Sequence, residues 1–230
     1  DNVVDASENM DWYKGETLLQ HLENLTLDDV EEVSKARFPI QTVIRPKTEE
    51  YHDFRGYAGK IYGDDLTVGD AITVLPSKTT SKIKEIHFFE KSFEMAKRGS
   101  SVTITLDDNI NVSRGDMLVK TIEEPSIEKQ ITATICWMDK TPLSSNTKYV
   151  LKHGVHDVQA KVTEISSIIN TDFSGKEDNP SAIVLNQIGE IELKLSKPLF
   201  FDSYQTNKAT GTFILIDPKT NATSGVGFIQ

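Results

Sequence analysis

The chain has 230 residues, a net charge of −10 and a pI near 5.0, room for one large or two ordinary domains with real cores. Its 37% hydrophobic and 26% charged residues are the balance of a folded globular protein. The acidity argues against a general nucleic-acid role, which needs clustered Lys and Arg, and no apolar run approaches the roughly 18 residues of a membrane-spanning helix; neither nucleic acid nor membrane is an expected partner.

A single cysteine, Cys136, rules out an intrachain disulfide framework and fits a reducing, cytoplasmic location. The sequence opens on Asp1 with no basic segment before an apolar run, so no secretory signal is expected and the chain reads as a processed or truncated piece of something longer. Sequons at Asn24, Asn111 and Asn221 carry no weight in that setting.

Taken in chain order, the opening segment differs from the rest. Leu18, Leu19, Leu22 and Leu25 form an apolar stripe at helical spacing, and Glu16 and Thr17 suit its start because carboxylates and hydroxyls satisfy free N-terminal amides. The acidic run Asp28 to Glu32 ends this helix or leads into a linker. Residues 1–35 are therefore expected to be a helical lead-in. Its apolar stripe needs a surface to pack on, and Trp12 and Tyr13 point to a contact with one.

From Arg37 the texture changes to short β-like runs: Pro39–Ile44, Tyr57–Tyr62, Ala71–Leu75, Lys82–Phe88, Ser101–Leu106 and Met117–Val119. Gly, Pro and Asp break them at Gly56, Gly63, Gly69-Asp70, Pro76, Gly99 and Gly115-Asp116. Alternation in 102–106 puts Val102, Ile104 and Leu106 on one face. Regular short strands without helical crossovers predict a closed barrel over 36–124. Glu123-Glu124-Pro125-Ser126 marks a boundary. A second β series follows in 125–230: Lys129–Trp137, Lys148–Lys152, Asp157–Ile168, Gly189–Leu195, Gly211–Asp217 and Gly225–Ile229. Asp217 to Asn221 carries turn residues, Thr171 to Pro180 reads as a polar loop, and Asn179 to Ile188 as a loop or one helical turn.

No motif amounts to a complete site. Asp53-Phe54-Arg55-Gly56 matches the DxxG pattern of GTPases, and Asn207-Lys208-Ala209-Thr210 half-matches NKxD, with Thr210 in place of the base-gripping carboxylate. The G-x-x-x-x-G-K-[ST] phosphate cradle is absent from the sequence. His153 and His156, with Asp157 adjacent, invite a metal reading, but Gly154 between β runs favours a turn, and tetrahedral zinc wants more ligands. Arg114-Gly115-Asp116 reads as a tight turn into the strand at Met117. Cys136 reads as a small buried residue without a base to activate it. Trp137 is either core or an interface anchor. Catalytic, cofactor-binding and metal residues are all expected to be none.

A resemblance emerges from the ordered segments Ser7–Leu19, Arg37–Gln41, Asp53–Gly59, Ser113–Asp116, Trp137-Met138 before Pro142-Leu143, Pro198–Asp202 and Thr210–Asp217. Together they resemble the C-terminal two-thirds of the large subunit of bacterial heterodimeric sulfate adenylyltransferase (ATP sulfurylase), itself similar to elongation factor Tu, a GTPase domain followed by two β-barrels. The pattern departs at Asp11, His153 and the stretch Lys47–His52. The resemblance implies two tandem barrels like domains II and III of that factor, with a short N-terminal helix. It implies a parent subunit, a GTP-binding GTPase and nucleotidyltransferase partner, that couples GTP hydrolysis to synthesis of adenosine 5′-phosphosulfate from ATP and sulfate. GTP and Mg²⁺ would belong to the GTPase domain, leaving this piece inactive by itself. Its partners would be that domain and the catalytic small subunit, with Trp12, Tyr13 and the 18–25 helix bridging from the GTPase domain onto the first barrel. Asp53 to Gly56 then becomes a barrel motif. The alternatives are tRNA-binding barrels of a translation-factor-like GTPase and a free-standing β-barrel interaction module.

Overall fold

A computed structural model describes residues 2–25, 35–46, 54–89, 91–170 and 174–230. Contacts divide the chain into two bodies, Asp1–Glu31 and Glu32–Gln230.

In the first body a 3-10 turn spans Glu8–Met10 and helix α1 spans Leu18–Asn24. Thr17 caps α1: its Oγ1 accepts the Gln20 amide at 3.3 Å, and the Gln20 side chain accepts the Thr17 amide at 3.1 Å. This reciprocal box satisfies two amides the helix cannot. The amides of Leu18 and Leu19 donate to the Asn2 and Val3 carbonyls, which ties down the N-terminus. Trp12 is 73% exposed, and Leu18, Leu19, Leu22 and Leu25 are exposed as well. The acidic run from Asp28 lies outside the described residues.

The second body is built from strands. They are β1 Arg37–Ile44, β2 Gly56–Lys60, β3 Leu66–Thr67, β4 Ala71–Leu75, β5 Thr79–Phe88, β6 Lys91–Phe93, β7 Met95–Ala96, β8 Ser101–Leu106 and β9 Met117–Lys120. Then follow β10 Ser126–Trp137, β11 Leu143–Ser144, β12 Lys148–His153, β13 His156–Ile169, β14 Lys176–Asp178, β15 Ala182–Ile183, β16 Ile188–Phe201, β17 Thr212–Ile216 and β18 Thr223–Ile229.

Pairing closes both series. The order β4-β9-β1-β2-β8-β5 returns on itself through the β4–β5 ladder, with β6 as an appended edge. The order β12-β17-β18-β10-β16-β13 returns through β12–β13, with β14 appended. Every ladder is antiparallel, and ring closure removes the free edges that an open sheet of this length would expose. The fold is mainly β, two barrels in tandem.

Each ring has its own core, set by alternation along the strands. Phe38, Ile40, Tyr57, Ile72, Val74, Ile86 and Ile104 fill the first. Ile131, Ala133, Ile135, Trp137, Leu151, Val162, Ile191 and Leu193 contribute to the second. At Gly59 the strands approach so closely that a Cβ would fall on the carbonyl oxygen of Pro39.

Two readings of the sequence change. The segment 179–188 holds a short strand, β15, paired to β11, and the polar stretch before it carries β14, which pairs with Ser167–Ile169. Both are too short for periodicity to register. The second-barrel strands also run longer than expected, β16 reaching Phe201, because a bulge lets it continue along β10 beyond Leu195.

Candidate functional site

The side chains that matter most join the two barrels. Arg37, a single cation at the start of an apolar strand, is fully buried. Its Nε donates to Asp202 Oδ2 at 2.9 Å and its Nη2 to Asp202 Oδ1 at 2.8 Å. Its Nη1 donates to the carbonyls of Ala36 at 3.0 Å and Glu123 at 2.6 Å. Asp202 follows β16 directly and also accepts Thr210 Oγ1 at 2.7 Å. A buried guanidinium is tolerable only when paired and hydrogen-bonded, and this one meets both conditions.

Beside the pair lies an apolar contact. Leu75 (β4), Met117 and Val119 (β9) pack against Phe200 (β16), with Ile127 (β10) partly buried against them. At its margin the Gly115 turn of the first barrel meets the β12–β13 hairpin of the second: a Cβ on Gly115 would sit 3.0 Å from His156 Cε1. Gly115 has φ +98, so both the backbone and the space there favour glycine. The His156 ring meets Phe200 edge-on at 6.1 Å. Lys78 and Glu124 form an exposed ion pair at 3.0 Å.

His153 and His156 face each other across the hairpin. His153 is buried and its Nε2 bonds to the Thr210 carbonyl at 2.8 Å, so the neutral ring carries its proton on Nε2. Burial pushes its pKa down and nearby His156 adds to this, while the Thr210 carbonyl and Asp202 oppose. Burial raises the pKa of Asp116, opposed by the Ser113 amide and His156. The two histidines line the joint; among the described residues no three His, Cys, Asp or Glu side chains gather as a metal set.

The other motif residues take structural positions. Asp53 lies outside the described residues, while Arg55 donates to the Ile110 carbonyl at 2.8 Å. Asn207 Oδ1 accepts the amides of Ala209 at 3.1 Å and Thr210 at 3.3 Å; occupied this way, it holds the turn that presents Thr210 to Asp202 and does not read a base. Arg114-Gly115-Asp116 forms the tight turn before Met117, with Asp116 accepting the Ser113 amide at 2.8 Å. Trp137 is buried and donates to the Thr141 carbonyl at 2.8 Å, which makes it core. Cys136 corrects the sequence reading: it is half-buried on the outer side of β10, whose inward positions are Ile131, Ala133, Ile135 and Trp137. Burial still raises its thiol pKa.

Sequence reasoning missed Arg37 and Asp202 as a pair. The available signal was a charge bounding an apolar run at each place, Arg37 before Phe38-Pro39-Ile40 and Asp202 after Leu199-Phe200-Phe201.

Residues 130–230 match the family model described as GTP-eEF1A C-terminal domain-like. All of the chain aligns with sulfate adenylyltransferase subunit 1 of Psychromonas ingrahamii, 39% identical over 231 residues and 48% of that protein's length. Over its whole length the chain is thus similar to sulfate adenylyltransferase subunit 1. A second subunit 1, from Bacteroides thetaiotaomicron, is 40% identical over 240 residues, again covering the whole chain and 48% of the relative. The chain thus spans about half the length of the curated subunit 1 relatives it matches. Among solved structures, sup35 complexed with GMPPNP superposes with a TM-score of 0.75 at 17% identity, over 100% of this chain and 55% of that one. Translation elongation factor SelB from Methanococcus maripaludis gives 0.69 at 20% identity, over 93% and 46%. At such identities the likeness shows the fold alone: the chain shares its double-barrel fold with these two proteins. No helix among the described residues is long and apolar enough to cross a membrane.

Proposed function

We propose that the chain is the two-barrel body of a sulfate adenylyltransferase large subunit. There it couples GTP hydrolysis to formation of adenosine 5′-phosphosulfate from ATP and sulfate, by holding a GTPase domain and the catalytic small subunit in a defined arrangement. The observation that carries this reading is the alignment of all 230 residues with subunit 1 relatives at 39–40% identity. The Arg37–Asp202 joint supports it, because a body that passes a displacement from one partner to another must not flex in its middle.

The residues present do not fit a nucleotide. The sequence lacks the phosphate cradle, and the one half-match to a guanine reader, Asn207, is occupied with its own turn. GTP and Mg²⁺ are assigned to a GTPase domain outside these residues, and no catalytic role is assigned to the chain. Trp12 and the exposed leucines of α1 are the apolar surface such a domain would cover.

Co-expression with the small subunit tests the reading. A complex that survives size-exclusion chromatography is expected; two folded proteins eluting apart would sink the docking role.

A further inference from the structure

On the outer surface of the second barrel three lysines stand side by side on adjacent strands. Lys148 of β12 lies directly opposite Lys161 of β13, which lies directly opposite Lys194 of β16, and the row ends on Gln130 of β10. Tyr149, Ala160, Val162, Leu193 and Leu195 point inward beside them, so the lysines share the outer face. Neighbouring strands are about 4.8 Å apart, and like charges directly opposite each other destabilise a sheet. None of the three makes a salt bridge among the described residues. Lys129 and Lys197, both exposed, flank the bulge beside the row.

This concentration of positive charge stands out in a chain of net charge −10. Acidic side chains are plentiful, yet here the sheet sets lysine against lysine. We propose that the Lys148–Lys161–Lys194 row is a docking surface for an acidic segment of a partner protein. A protein segment fits better than a nucleic acid. The next outward row carries Glu164 opposite Glu192, which would repel a phosphodiester backbone crossing the face, whereas a short acidic segment can follow the lysine row alone. The overall negative charge disfavours a second copy of the chain as occupant.

The test is titration of the 230-residue chain with a ten-residue Glu/Asp peptide at low ionic strength, followed by amide chemical shifts. Shifts centred on 148, 161 and 194 are expected, with binding weakened about five-fold or more by Lys161→Glu, less by Lys161→Gln, and unchanged by Lys91→Glu on the distant β6 edge. Lys161→Glu should also raise the thermal midpoint, since it turns two like-charge oppositions into attractive pairs; this shows that the loss of binding is not loss of fold. Equal weakening by Lys91→Glu, or undisturbed amides along the row, would overturn the proposal. So would tighter binding of a single-stranded oligonucleotide of equal charge at the same amides, or self-association of the chain that Lys161→Glu abolishes.

Discussion

Arg37 and Asp202 are 165 residues apart in sequence, yet their side chains meet in a buried, two-pronged ion pair with N–O distances of 2.9 and 2.8 Å. Each belongs to a different barrel, and the pair fixes one against the other together with the Phe200 contact.

The first prediction concerns this pair. Asp202→Ala leaves a fully buried guanidinium with only carbonyl partners, and removing one member of a buried pair costs about 3–5 kcal/mol. Equilibrium urea unfolding should show that loss, with the two barrels unfolding in more clearly separate steps than in the parent as they uncouple. The double change Arg37→Met with Asp202→Leu should recover most of the loss, because it removes the uncompensated charge as well. A double variant as unstable as Asp202→Ala alone would mean that the Arg37 bonds to Ala36 and Glu123 matter more than the pair.

The second concerns pH. The folded pKa of His153 lies below its ordinary value of 6.5, chiefly through burial. Above 6.5 folded and unfolded chains both hold the ring neutral, and its contribution to stability is complete. As the pH falls below 6.5 the unfolded chain takes up a proton that the folded chain resists, so stability declines until the pH passes the folded pKa. His153→Gln, which keeps a donor for the Thr210 carbonyl, should flatten this acid slope in denaturation curves measured stepwise from about pH 7.5 to 5. An unchanged slope would move the effect to other groups.

The third concerns Cys136. Its half-buried position on the outer side of β10 pushes the thiol pKa up, and the thiolate is the reactive form. Alkylation by iodoacetamide near pH 8 should therefore run several-fold slower in the folded chain than in urea. Equal rates would show a thiol that burial does not restrain.

How much of this was legible beforehand depends on the range of the interaction. Alternation in 102–106 located β8, and turn residues from Asp217 to Asn221 located the β17–β18 connection, because both signals lie within a few residues. Strands β11, β14 and β15 carry two or three residues each, fewer than one period of alternation needs to repeat. Cys136 was misplaced because Ile135-Cys136-Trp137 is apolar throughout; the parity set upstream by Thr132 and Thr134 places it on the outer side. The Arg37–Asp202 pair was invisible for a different reason: periodicity says which way a side chain points, not which distant residue awaits it. The lysine row has the same origin, being created by register between β12, β13 and β16.

Synthesis imposes an order on the joint. At roughly 5–20 residues per second, Asp202 leaves the ribosome about 8–33 s after Arg37. Every strand of the first ring has emerged long before then, so that ring can close while its arginine still lacks a counterion and keeps its water. The clasp between the barrels thus forms only after the first ring has had time to close. A product that stops short of residue 202 would hold a finished first barrel with an open socket.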